Sequence, residues 1–212
     1  MMREVTPGAT LSHLDEPTRA LVRLAAALTA GSEADVRSHL QATSKLASPT
    51  WIEELLLQTY LFAGFPRALN GMREWRRLHR EPASPGRAVP ESEARSKGEE
   101  TCARVYGAMY ERLRVNIRAL HPSLDEWMIL EGYGKVLSRP ELDLPRRELC
   151  IVAACAAAGQ DRQLQSHLHG ALNAGVEGTA VTEALHALHG VIPDELVNRA
   201  HSLWQRIRHD VH

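Results

Sequence analysis

Cysteine is scarce in this 212-residue chain, with only Cys102, Cys150 and Cys155. Three thiols so unevenly placed do not make a disulfide framework. Aromatic residues supply 5% of the chain against 44% hydrophobic residues in all, many of them alanine, a balance that suits close-packed helices better than sheets. A formal net charge of −1 and a pI near 6.8 create no field that would draw in nucleic acid or an anionic membrane. The basic cluster Arg73, Arg76, Arg77 and Arg80 beside Trp75 reads as a solvated helix face. No apolar run approaches the roughly 18 residues of a membrane span. The opening stretch MMREVTPGATLSHLDEP has no signal-peptide core. Neither nucleic acid nor membrane is expected as a partner, and the expected location is cytoplasmic.

The chain is organised around Arg147–Gly175, RELCIVAACAAAGQDRQLQSHLHGALNAG, which reads as a helical hairpin. Leu149, Val152, Ala153, Ala156 and Ala157 recur at helical spacing before Gly159, and Leu164, Leu168, Ala171 and Leu172 share a face after it. Upstream, residues 1–14 read as a loose arm. Helices are expected from a cap at Asp15 or Thr18 to Ala30, then to about Leu46, from Pro49 to Gly64 and from Pro66 to His79. Residues 81–98 are rich in Pro, Ser, Gly and charge and suggest a linker. Helices over 99–120, 123–137, 178–189 and 194–209 complete an all-α chain.

The hairpin occurs twice. Residues 19–40 lie on 147–168 at a constant offset, with nine identities in 22 positions: Arg19/Arg147, Leu21/Leu149, Ala25/Ala153, Ala26/Ala154, Ala30/Ala158, Gly31/Gly159, Ser38/Ser166, His39/His167 and Leu40/Leu168. With one residue inserted, Ile52, Glu54 and Leu56 fall on Val181, Glu183 and Leu185. The chain is therefore a tandem duplication of a helical unit rather than a long solenoid. Residues 1–80 form the N-terminal repeat, 81–98 the linker and 99–212 the C-terminal repeat.

The repeats differ in chemistry. Glu148 lies about 16 Å before the Gly159 bend and His167 about 12 Å after it, at 1.5 Å per residue. Their side chains can therefore meet as a carboxylate–imidazole acid/base pair. A surface glutamate at a helix start and a core histidine would fit the same spacing. The first repeat keeps His39 but has Ala20 in place of the carboxylate, which makes His39 the weaker candidate. His186 and His189 stand three apart on a helix, a spacing that can bind metal, yet no set is completed by spacing. They read, with His201, His209 and His212, as surface residues, and no metal is expected.

RELCIVAACAAAG followed by QLQSHLHGALNAGV resembles the carboxymuconolactone decarboxylase / alkylhydroperoxidase-D-like family. The lead-in EGYGKVLSRPELD matches through Tyr133, Gly134, Ser138, Arg139, Pro140, Leu142 and Asp143. LLLQTYLFAGFPRALN, residues 55–70, resembles the family segment that follows the hairpin. The family's peroxidase branch carries a Glu, Cys, Cys, His frame. Here that frame reads Glu148, Gln160, Gln163 and His167, and in the first repeat Ala20, Ser32, Asp35 and His39. A peroxidase needs an attacking and a resolving thiol, so the resemblance implies the decarboxylase branch, which uses neither metal nor organic cofactor. The implied substrate is a small unsaturated carboxylate or lactone. His167 oriented by Glu148 is the candidate proton donor, Arg139 the candidate carboxylate anchor, and Tyr133 and Trp127 candidate pocket walls. The resemblance also implies a homo-oligomer, a trimer of six repeats. The rivals are a peroxide reductase using an unconventional cysteine and a non-catalytic scaffold or binding protein.

Overall fold

The computed structural model describes residues 10–82 and 86–210; residues 1–9, His212 and the side chain of His209 lie outside it. Among the described residues the chain is all-α, broken only by isolated bridges at Leu11–Val176 and His189–Ile192. Part of the expected loose arm is tied down. Leu11 exchanges hydrogen bonds with Gly175 and Glu177, and the buried Leu14 donates its amide to Glu183 at 2.7 Å.

The first unit comprises α1 (Glu16–Ala30), α2 (Glu33–Thr43), α3 (Pro49–Ala63) and α4 (Phe65–Leu78). Its helices start where the sequence supplies caps: Asp15 accepts from the Thr18 amide, Ser32 and Asp35 form a capping box, and Ser48 accepts from Trp51. Next come α5 (Glu91–Tyr106), a 3₁₀ turn at Gly107–Met109, α6 (Tyr110–Leu120), α7 (Pro122–Trp127) and a π-helical segment, Met128–Leu137. The second unit is α8 (Leu144–Ala157), α9 (Asp161–Ala174), α10 (Gly178–His186) and α11 (Asp194–Asp210).

The two units repeat each other down to single bonds. Asp143 caps α8 as Asp15 caps α1. Beyond the inserted residue, α3 and α10 begin 129 positions apart, as do α4 and α11. Trp75 and Trp204, also 129 apart, are both buried. Each indole N–H donates to a side chain 22 residues back, Trp75 to Glu53 at 3.0 Å and Trp204 to Thr182 at 2.9 Å. The units pack through α1 against α8 in one continuous core.

The middle of the chain departs from the composition-based reading. α5 begins at Glu91, inside the stretch that suggested a linker, because Ala94, Gly98 and Cys102 recur every four residues and give an otherwise charged helix a narrow buried stripe. Its other end breaks at Gly107, whose φ of 51° lies in the left-handed region, so the expected 99–120 helix is two helices. α5 lies backbone to backbone on the π segment. A Cβ at Gly98 would stand 2.2 Å from the Ile129 carbonyl oxygen, and one at Gly134 2.2 Å from that of Ala94. That crossing holds the π segment on α5, which itself packs on α9.

Candidate functional site

Glu148 and His167 meet. His167 Nδ1 lies 2.8 Å from Glu148 Oε2, and the two residues are 5% and 0% exposed. α8 places Glu148 one turn in from its cap, and α9 returns antiparallel past the positive-φ Gly159. Gly170, three residues beyond His167, makes the approach possible. A Cβ there would lie 2.7 Å from Glu148 Oε2 and 2.7 Å from Val105 Cγ1. Glu148 Oε1 is buried and has no hydrogen-bond partner among the described residues, an unusual state for a buried carboxylate oxygen.

His167 lines a cavity of about 590 Å³. The remaining wall is strongly aromatic, with Tyr60, Phe62, Phe65, Tyr106, Trp127 and Tyr133. Both phenylalanines, three of the four tyrosines and one of the four tryptophans of the chain gather here. The Phe62 and Tyr106 rings meet the imidazole edge-on, with centroids 5.6 and 6.4 Å away. Burial pushes the Tyr106 phenol up to about 12, and burial with the neighbouring Tyr106 and Glu148 raises Tyr133 well above the usual phenol range. Both therefore stay protonated at neutral pH and can donate hydrogen bonds. Glu131 is the one carboxylate on the wall, and it is held to Lys135 at 2.9 Å.

Tyr133 and Trp127 thus stand on the same cavity as the pair, Tyr133 buried and Trp127 at the rim with 59% exposure. Arg139 stands elsewhere. Its guanidinium grips the buried Glu54 with three contacts of 2.7–3.0 Å, and Arg147 reaches the same carboxylate at 2.6 Å. The fork expected to hold a substrate carboxylate is committed to a carboxylate of the chain itself. That partner lies 85 residues away in the sequence. His39 is half-buried near Arg23 and Asp35, and burial, helped by Arg23, lowers its pKa. Among the described residues, none brings His39 a carboxylate partner as Glu148 is brought to His167.

The three cysteines are buried in the core, and burial pushes each thiol up to about 12. None lines the cavity. An attacking thiolate needs the opposite environment, exposed and electropositive. Tyr60, Phe62, Phe65 and Tyr106 were not anticipated as site residues. The run YLFAGF at 60–65 carried the signal, since three of ten scarce aromatics fall within six positions. Gly170 also left a trace, because a mid-helix glycine costs about 1 kcal/mol against alanine and suggests close packing.

The comparisons with known proteins follow the same outline. Two curated relatives are both called Peroxisomal protein 2. That of Schizosaccharomyces pombe is 29% identical over 138 residues, 63% of this chain and 64% of its own length. That of Saccharomyces cerevisiae is 27% identical over 164 residues, 64% of this chain and 58% of its own. The chain therefore spans about six tenths of the length of the curated relatives it matches. The model of the carboxymuconolactone decarboxylase family matches residues 4–77 and again 124–191, once in each repeat. This chain belongs to the carboxymuconolactone decarboxylase family, as a two-repeat member with Ser32 and Asp35 in the first repeat, and Gln160 and Gln163 in the second, at the cysteine positions of the peroxidase frame.

Proposed function

We propose that the chain is a cofactor-independent acid/base enzyme that decarboxylates a small, flat, unsaturated carboxylate or lactone. The observation that carries this reading is the 2.8 Å Glu148–His167 contact on an aromatic cavity. Glu148 Oε2 accepts from His167 Nδ1–H, which leaves Nε2 as the nitrogen that handles the substrate proton. The bond from the substrate carbon to its carboxylate breaks, carbon dioxide leaves, and the electron pair moves into the conjugated carbonyl. His167 then delivers a proton to that carbon and is reprotonated from solvent. The neutral Tyr106 and Tyr133 hydroxyls support the charge developing on the carbonyl oxygen.

Without Arg139 the cavity wall, among the described residues, offers no guanidinium to the substrate carboxylate. Apolar walls disfavour a carboxylate more than neutral carbon dioxide, which assists its departure. The buried, high-pKa thiols weigh against the peroxide-reductase alternative. A cytoplasmic location belongs to this proposal, and the relatives' shared name makes the peroxisome its competitor, which imaging a tagged protein decides. A homotrimer, also part of the proposal, would cover the exposed lip of Phe65, Leu124 and Trp127.

The test is loss of ultraviolet absorbance from carboxymuconolactone with wild type beside His167→Ala. Turnover should fall at least about a hundredfold in the variant, the usual scale for a lost general acid. Equal turnover in both proteins removes His167 from the reaction. No turnover in either moves the protein to another substrate or to the non-catalytic binding role.

A further inference from the structure

The second unit carries a cluster that sequence spacing left incomplete. His186 ends α10, His189 lies in the following turn, and His201, twelve residues further on, sits on α11. Their rings gather with centroids 5.2 Å (186–189), 5.7 Å (186–201) and 6.3 Å (189–201) apart. One ring nitrogen from each lies within 4.8 Å of the others. We propose that His186, His189 and His201 form a zinc-class metal site clipping the end of α10 to α11.

Three independent features support it. The first is an orphan: His201 Nε2 is buried and has no hydrogen-bond partner among the described residues. Buried ring nitrogens are normally satisfied, and a metal ion satisfies one as well as a proton donor does. The second is orientation. His189 Nδ1 lies 3.1 Å from Asp194 Oδ1, so the carboxylate accepts a hydrogen bond from Nδ1–H and the Nε2 lone pair is left for a metal. The backbone of this turn is also held, because Arg23 donates to the carbonyls of Ala187 at 2.5 Å and His189 at 3.2 Å.

The third is the duplication itself. At the 129-residue offset that pairs Trp75 with Trp204, the counterparts of His186, His189 and His201 are Leu57, Tyr60 and Met72. The fold therefore does not require histidine at these positions. Three separate positions that are apolar or aromatic in one unit are all imidazoles in the other, and they converge.

The ligand chemistry follows from the donors. Three neutral imidazoles suit Zn²⁺, and also Cu²⁺ and Ni²⁺, better than Mg²⁺ or Ca²⁺. Tetrahedral zinc with bonds of about 2.0–2.1 Å needs nitrogens about 3.3 Å apart. His186 and His189 are exposed and can rotate inward to close the difference. Three protein ligands leave a fourth position for water.

The experiment uses tag-free, chelator-treated full chain. Zn²⁺ is titrated by calorimetry, and Co²⁺ is titrated as a visible-absorbing probe of coordination geometry. Wild type should bind one Zn²⁺ per chain at micromolar Kd or tighter, show the intense visible bands of tetrahedral Co²⁺, and gain thermal stability. His201→Met, which installs the residue found at Met72, should keep the metal-free fold. It should weaken zinc by more than the ten- to hundredfold typical of losing a partner that orients a ligand. His121→Ala, a histidine remote from the cluster in sequence and fold, should leave binding unchanged. The proposal is overturned by Kd values weaker than about 100 µM, by His201→Met binding zinc as wild type does, or by loss of the site in His121→Ala. If His201→Met loses its metal-free helical signal, His189→Gln replaces it under the same criteria.

Discussion

At the scale of single residues, this molecule separates what is costly from what is structural. Glu148 is fully buried, and one of its oxygens has no partner among the described residues, a condition that costs about 1–3 kcal/mol. Glu148→Gln preserves shape and can still accept from His167, yet removes the charge that orients and supports an imidazolium. Turnover of the responsive substrate should drop about a hundredfold with KM little changed, while the melting temperature holds or rises. Steady-state kinetics and a thermal melt on the same preparation check both halves. A large loss of stability with activity intact would make Glu148 a structural residue.

Elements position these residues, and they do so through small side chains. Gly98 and Gly134 let α5 and the π segment touch along their backbones, and Gly170 lets α9 approach Glu148 and Val105. The π segment contributes Met128, Glu131, Gly132, Tyr133 and Leu137 to the cavity, in keeping with the tendency of π-helical turns to occur at functional sites. Gly134→Ala would drive a methyl group to 2.2 Å from the Ala94 carbonyl oxygen. Because that obstacle is backbone, the helices must separate, at about 1–3 kcal/mol or more for such overpacking. Urea denaturation should show this loss, and catalysis should fall with it because the neighbouring Tyr133 moves. An unaltered denaturation midpoint would mean that the crossing is looser than the structure has it.

At the scale of the whole molecule, buried charge ties the two repeats together. Glu54, 3% exposed on α3 of the first unit, receives Arg147 from α8 and Arg139 from the turn that leads into it. Burial acts to raise its pKa, but hydrogen bonds and charge from both guanidiniums prevail and hold the carboxyl below its ordinary range. Asp125 is held low as well, first by its hydrogen bond from Arg114 and then, against the opposing effect of burial, by that from Arg118. A carboxyl with a depressed folded-state pKa adds stability above its unfolded value, and that contribution is lost as pH falls through the folded value. Melting temperature should therefore decline as pH drops from about 5 towards 3, with a shallower decline in Glu54→Gln. Parallel pH profiles would remove Glu54 from the acid response. Glu54→Ala at pH 7 removes the carboxylate that both guanidiniums share and should cost about 3–5 kcal/mol.

The sequence by itself determined the helical class and the duplication, and its spacing let Glu148 and His167 meet. Each rests on information local along the chain: caps such as Asp15 and Ser48, apolar residues at helical period, and a 19-residue hairpin spacing that folds back on itself. Only the tertiary structure decided which partner Arg139 takes, because Glu54 lies 85 residues away and competes with any substrate for the same guanidinium. It also decided where the aromatics gather, since Tyr60, Tyr106 and Tyr133 belong to three different elements. The start of α5 was obscured for a related reason. A stripe of Ala94, Gly98 and Cys102 is too small to stand out in a charged sequence until the backbone it packs against is known. His201 completes the histidine cluster only because α11 turns back across the end of α10. Local periodicity fixes elements, but the pairing of distant polar groups depends on which elements the core brings together.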